Sequence, residues 1–166
     1  MKDALFLARE KLNHVTPLKR DCGRVCGARC CQPLEGEETG MLLFPGEEAL
    51  IPAADGWQIR ETASGLMVVC PGKCDRNGRP LGCRMFPLIP VIRNGTVRVA
   101  VDWRAAAVCP LARQGIRAMD PAFISAVRDA GEILAADEQQ SAFLEKLTKE
   151  QDELKKLREE LGGAYV

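Results

Sequence analysis

The sequence holds one histidine, His14, and aromatic side chains make up only 5% of it. A single imidazole leaves no His–Asp catalytic couple to expect. Its place near a predicted helix end reads as a surface side chain or a partner of the helix dipole, with a Cys–His nucleophile pair as the open alternative. No run of about 18 apolar residues occurs, so no transmembrane helix is predicted. The opening MKDALFLAREKLNHV carries Asp3, Arg9 and Glu10 around a very short apolar run, a poor secretory signal and a fair amphipathic helix. The cytoplasm, where thiols stay reduced, is the expected compartment. Glycine-rich phosphate loops, zincin motifs and nucleophile elbows are missing as well.

Net charge is also missing, because 23 basic and 23 acidic side chains cancel over 166 residues. The cancellation is uneven. Residues 1–69 carry net −2, residues 70–117 net +7 and residues 118–166 net −5. A basic stretch can mark a nucleic-acid surface, but no aromatic-rich stacking pattern accompanies these arginines. Compensation of thiolate charge is the preferred reading, and a nucleic-acid partner is not expected.

What is abundant is cysteine. Eight occur, at positions 22, 26, 30, 31, 70, 74, 83 and 109, with none in the last 57 residues. Hydrophobic content of 46% suffices for a core in a chain of this length, so cross-links are not needed merely to fold. Four disulfides are the alternative for an oxidising compartment; in a reducing one such clusters are more often metal-binding or catalytic. The first group is Cys22-x3-Cys26-x3-Cys30-Cys31. Gly23 and Gly27 disfavour a regular helix there and suit a backbone that wraps an ion. The second group is Cys70-Pro71-Gly72-Lys73-Cys74, then Cys83, then Cys109-Pro110. Soft sulfur donors exclude calcium and magnesium. Four thiolates close a tetrahedral zinc site or hold a four-iron cluster, so eight would fill two such centres. Spacing does not choose between Zn2+ and iron or a [4Fe-4S] cluster, and does not assign cysteines to either centre.

Around these groups the pattern predicts a helix over 3–14, with Leu5, Leu12 and Val15 on one side and Pro17 ending it. Residues 21–40 read as irregular, 40–44 as a short strand, and Pro45-Gly46-Glu47-Glu48 as the opening of a short helix. Strands are predicted at 57–61 and 66–69. Asn94-Gly95 between alternating valines predicts a type I′ hairpin. Asp120-Pro121 opens a helix to about Leu134. A second runs from about Asp137 to Leu161, stopped by Gly162-Gly163, with a stripe of Phe143, Leu147, Leu154, Leu157 and Leu161. That stripe suggests a helix docked on its own domain, with self-association or a protein partner as the alternative.

The cysteine pattern, followed by Arg79-Pro80-Leu81-Gly82-Cys83-Arg84-Met85-Phe86-Pro87 and by Cys109-Pro110, resembles the YkgJ-type cysteine-cluster family. That family opens on CxxxCxxCC, where this chain has CxxxCxxxCC, and carries a later motif close to RPxxCRxFP. The resemblance spans about residues 20–112 and takes in Gly46-Glu47-Glu48-Ala49. It implies a zinc- or iron-chelating domain and gives no reaction. A distant likeness to flagellin lysine methylases, which have similar clusters, keeps a metal- or Fe–S-dependent protein-modifying enzyme as an alternative, beside a redox or metal-sensing interaction module.

The expectation is thus an α+β protein. Residues 1–136 form a small, irregular, cysteine-rich metal-binding domain with a short antiparallel sheet or hairpin, and residues 137–166 a C-terminal amphipathic helix and tail. Cys22, Cys26, Cys30, Cys31, Cys70, Cys74, Cys83 and Cys109 are the candidate metal ligands. Arg79 and Arg84 are candidates to donate to thiolate sulfurs or to buried carbonyls around them.

Overall fold

The computed structural model describes residues 3–33, 40–52 and 56–162. Residues 34–39 of the expected irregular stretch, and Gly163 of the expected helix stop, lie outside them. Within them the chain is α+β, with helices packed on small antiparallel sheets. Helix α1 (Ala4–Lys11) starts on Asp3, whose carboxylate accepts from Leu5 N at 3.3 Å, a side-chain N-cap. It is shorter than predicted, yet Leu5, Ala8 and Leu12 are all buried. One-turn helix α2 (Gly23–Cys26) ends at Gly27, in the left-handed region with φ 66°, and Ala28 follows with φ 53°. Those two residues turn the chain into a 3₁₀ turn, Arg29–Cys31.

Strands β1 (Gly40–Leu42), β2 (Gln58–Thr62) and β3 (Gly65–Val69) form an antiparallel sheet in the order β1-β3-β2, with both Gly40 and Gln58 opposite Val69. The segment after β1 forms a 3₁₀ turn, Glu47–Leu50, in place of the predicted short helix. Helix α3 (Leu81–Met85) carries the motif cysteine and leads into the hairpin of β4 (Leu88–Arg93) and β5 (Thr96–Val101). Asn94 and Gly95 both take positive φ, 51° and 71°, as a type I′ turn requires. After a 3₁₀ turn at Trp103–Ala107 come α4 (Pro110–Gln114), α5 (Pro121–Ala135) and α6 (Glu138–Glu160). Asp120 and Asp137 cap the last two by accepting from Ala122 N at 2.9 Å and Gln140 N at 3.0 Å.

The core lies where α1 and α6 meet α5 and the hairpin. Phe123, Val127, Ala130 and Leu134 of α5 are buried in one cluster with Leu5, Leu12, Leu88 and Val91. Gly131 permits this approach. A Cβ there would stand 2.6 Å from Pro90 Cβ and 2.9 Å from Val97 Cγ1. Helix α6 joins the same cluster through Leu144 and Leu147, and Phe143 meets Phe44 edge-on at 5.1 Å. Leu144, absent from the predicted stripe, is fully buried, whereas Leu154, Leu157 and Leu161 are 38%, 52% and 65% exposed. The helix therefore docks by its N-terminal half. Thr148 Oγ1 accepts from Ile92 N at 3.0 Å, and Gln151 accepts from Trp103 N at 2.9 Å while donating to Asp102 at 3.0 Å. Among the described residues no helix is long and apolar enough to cross a membrane.

Candidate metal centre

All eight cysteines are free thiols. They come from three separated segments that the fold brings together. Cys22 and Cys26 flank and end α2, and Cys30 and Cys31 sit in the 3₁₀ turn behind Gly27 and Ala28. Cys70 and Cys74 lie in the loop leaving β3, Cys83 in α3, and Cys109 at the N-terminus of α4. Two adjoining cavities, of about 120 and 320 Å³, gather them. Cys22, Cys26 and Cys109 line the first and Cys31, Cys70 and Cys74 the second, while Cys30, Cys83 and Arg79 border both. The Cys30 and Cys31 sulfurs are 3.9 Å apart, close to the edge of a tetrahedral thiolate set, about 3.8 Å for Zn–S near 2.3 Å. Cys70 Sγ accepts from Gly72 N at 3.4 Å. Yet among the described residues no group of three or more cysteine, histidine or carboxylate side chains is arranged so that it could hold a metal ion. The thiols ring two cavities without converging on a point.

Burial raises the thiol of Cys22, with Cys26 and Cys109 adding to it. Burial likewise raises Cys83, reinforced by Cys31, Cys74 and Cys70. The hydrogen bond between Cys30 and Cys31 lifts Cys30 and lowers Cys31, and Arg79 favours the Cys31 thiolate further.

The two motif arginines divide their work. Burial pulls Arg79 down, but a hydrogen bond with Cys74 and the neighbouring Cys31 and Cys83 outweigh it and hold the guanidinium charged. Arg84 instead donates to the carbonyls of Arg79 at 2.9 Å and Asn77 at 2.8 Å, and to the Asn13 side chain. Burial, then Arg9 and Arg76, bring Arg84 down to about 10. Arg76 reaches the carbonyls of Leu12, Asn13 and Val15 at the end of α1, where helix carbonyls otherwise lack partners. His14, between Asn13 and Val15, lines neither cavity.

Sequence reasoning missed what holds α3. Glu47 is fully buried and accepts from Arg9 Nη1 at 2.9 Å, Leu81 N at 2.5 Å and Phe44 N at 3.1 Å. Its carboxylate thus sits at the start of the helix that carries Cys83, and Arg9 Nη2 reaches on to Asn77 O at 3.0 Å. Burial pushes the Glu47 carboxyl above its usual range against the pull of those donors. The acid pair Glu47-Glu48 carried no sign that one member turns inward. Trp57 was missed too. It lines the second cavity, and its indole N–H is buried without an acceptor among the described residues.

Compared with family models, with curated proteins and with solved structures, the chain matches none. The likeness to the YkgJ-type family rests on the motif residues alone.

Proposed function

We propose that this protein binds metal through its cysteine thiolates, zinc in the first place and iron or a [4Fe-4S] cluster as the alternative, with the metal structural or carried as a cofactor. The observation that carries the reading is the gathering of all eight cysteines, as free thiols from three distant segments, around two adjoining cavities. Random placement would not empty the rest of the chain of cysteine. The donor set fits the group, since soft sulfurs select zinc and iron over harder ions. Arg79 supplies positive charge between the cavities, as a set of thiolates requires. No three of the thiols converge as a ligand set among the described residues; on this reading the ion draws them together.

Purification without oxygen, followed by metal analysis and optical spectra, tests the proposal. Tightly held zinc, or iron with cluster absorbance, is expected; a protein that takes up neither would overturn it. Structural zinc gives about 10–16 kcal/mol in small finger peptides, and the apolar core here softens the loss. A strong chelator should still lower Tm sharply. An unchanged melt after proven metal removal would rule out the structural role.

A further inference from the structure

The cavities differ in the thiols they own, and that difference bears on how many ions the protein holds. Cys22, Cys26 and Cys109 line only the first, and Cys31, Cys70 and Cys74 only the second. Each triad joins residues far apart in the chain: the first ties the α2 turn to the start of α4, the second ties the Cys30-Cys31 turn to the loop after β3. Adjacent residues differ in reach, because Cys30 borders both cavities and Cys31 only the second.

We infer that the eight thiols make two metal centres, with Cys22, Cys26 and Cys109 as ligands of one, Cys31, Cys70 and Cys74 as ligands of the other, and Cys30 and Cys83 from the shared wall completing the two sets. The inference rests on the thiolate–metal reading above. Eight thiolates exceed the four that one tetrahedral zinc or one four-iron cluster takes, and three owned thiols plus one from the wall give four for each. Arg79 stands in that wall, bordering both cavities, where one guanidinium faces the charge of both sets. The second cavity has a further donor in its wall: the Trp57 indole N–H, buried without an acceptor among the described residues. Such N–H donors around a metal set its ligands' orientation and basicity.

The test counts zinc on the full chain by native mass spectrometry, after reconstitution with zinc ion alone under reducing conditions. Wild type should carry two zinc ions on its compact, low-charge ions. Cys109→Ser and Cys74→Ser should each carry one, and the double variant none. Should a variant fail to fold, cobalt titration of the wild type decides: thiolate-to-cobalt absorbance should rise through two equivalents. Saturation at one equivalent, or one zinc in the wild type that either substitution removes, overturns the two-centre inference and leaves metal binding standing. A wild type that binds neither zinc nor cobalt overturns the two-centre inference for zinc, and one that also shows no iron and no cluster absorbance after purification without oxygen overturns the reading beneath it.

Discussion

Along α5 every inward residue is covered, with Phe123, Val127, Ala130 and Leu134 fully buried, whereas from Gly23 to Cys31 not one side chain is buried. The same contrast separates the two sheets. Strand β4 reads as a nearly continuous buried run, while β2 is exposed along almost its whole length. Apolar burial, at about 25 cal/mol per Å², is concentrated in the helix–hairpin half. The thiol-bearing segments have little of it. They are positioned by charged side chains reaching backbone carbonyls, as Arg76 and Arg84 do. Cysteine thus sits where the hydrophobic core is thinnest, the place where a cross-linking ion contributes most.

The largest expected effect tests the helical side of that contrast. Phe123→Ala empties the centre of the core and should cost about 3–5 kcal/mol, read by denaturant unfolding. The loss should be the same with metal loaded and with metal stripped, since no thiol cavity includes Phe123. A loss that vanished on chelation would mean the two halves are one cooperative unit held by the metal.

Next comes the joint between the halves. Glu47→Ala leaves Arg9 buried without its partner and the Leu81 amide without its acceptor, which should cost about 3 kcal/mol. Glu47→Gln separates charge from shape. Burial raises the folded carboxyl above its unfolded value, so its contribution is fully present below the unfolded value and is lost as pH rises through the folded one. Glutamine, which cannot ionise, should therefore gain on the wild type as pH rises across that window, in melts at stepped pH. A gap that widens the other way would show that Arg9 and the two amides outweigh burial.

The sequence made the helical half legible because its signals are local. Asn94-Gly95 demands a tight turn, and Asp120-Pro121 a helix start, whatever surrounds them. Leu144 escaped because a heptad count followed Leu147, Leu154 and Leu161, while docking uses the first half of the helix and a face that includes its neighbour. At the thiols the residues themselves were legible, eight cysteines in two groups, but their division was not. Which cavity Cys31 or Cys109 faces depends on the left-handed Gly27 and Ala28 and on the turn at Trp103–Ala107, and these are settled by packing. Glu47 and Trp57 gave no signal, since an inward carboxylate and an unpartnered indole exist only relative to distant chain.

The smallest effect asks whether α6 belongs to the helical half from within or from outside. Arg93 at the end of β4 meets Asp152 in a two-pronged ion pair, one contact at 2.6 Å, but the two side chains are 43% and 50% exposed. Pairs so placed contribute about 0.2–1 kcal/mol and weaken in salt. The hydrogen bond from Arg93 holds the Asp152 carboxyl below its usual range. Its contribution is thus present above the unfolded value and fades as pH falls through the folded one. Gln151, one residue earlier, is buried and satisfies both Trp103 N and Asp102. Removing it strands the part-buried Trp103 N–H and takes one donor from the buried Asp102 carboxylate, at a cost of about 1–3 kcal/mol. Asp152→Asn should therefore cost under about 1 kcal/mol, less again in high salt, and Gln151→Ala more, with no salt dependence. The reverse order would mean that charge on the outside fastens the helix, and α6 would then share the character of the thiol-bearing half instead of the core it packs against.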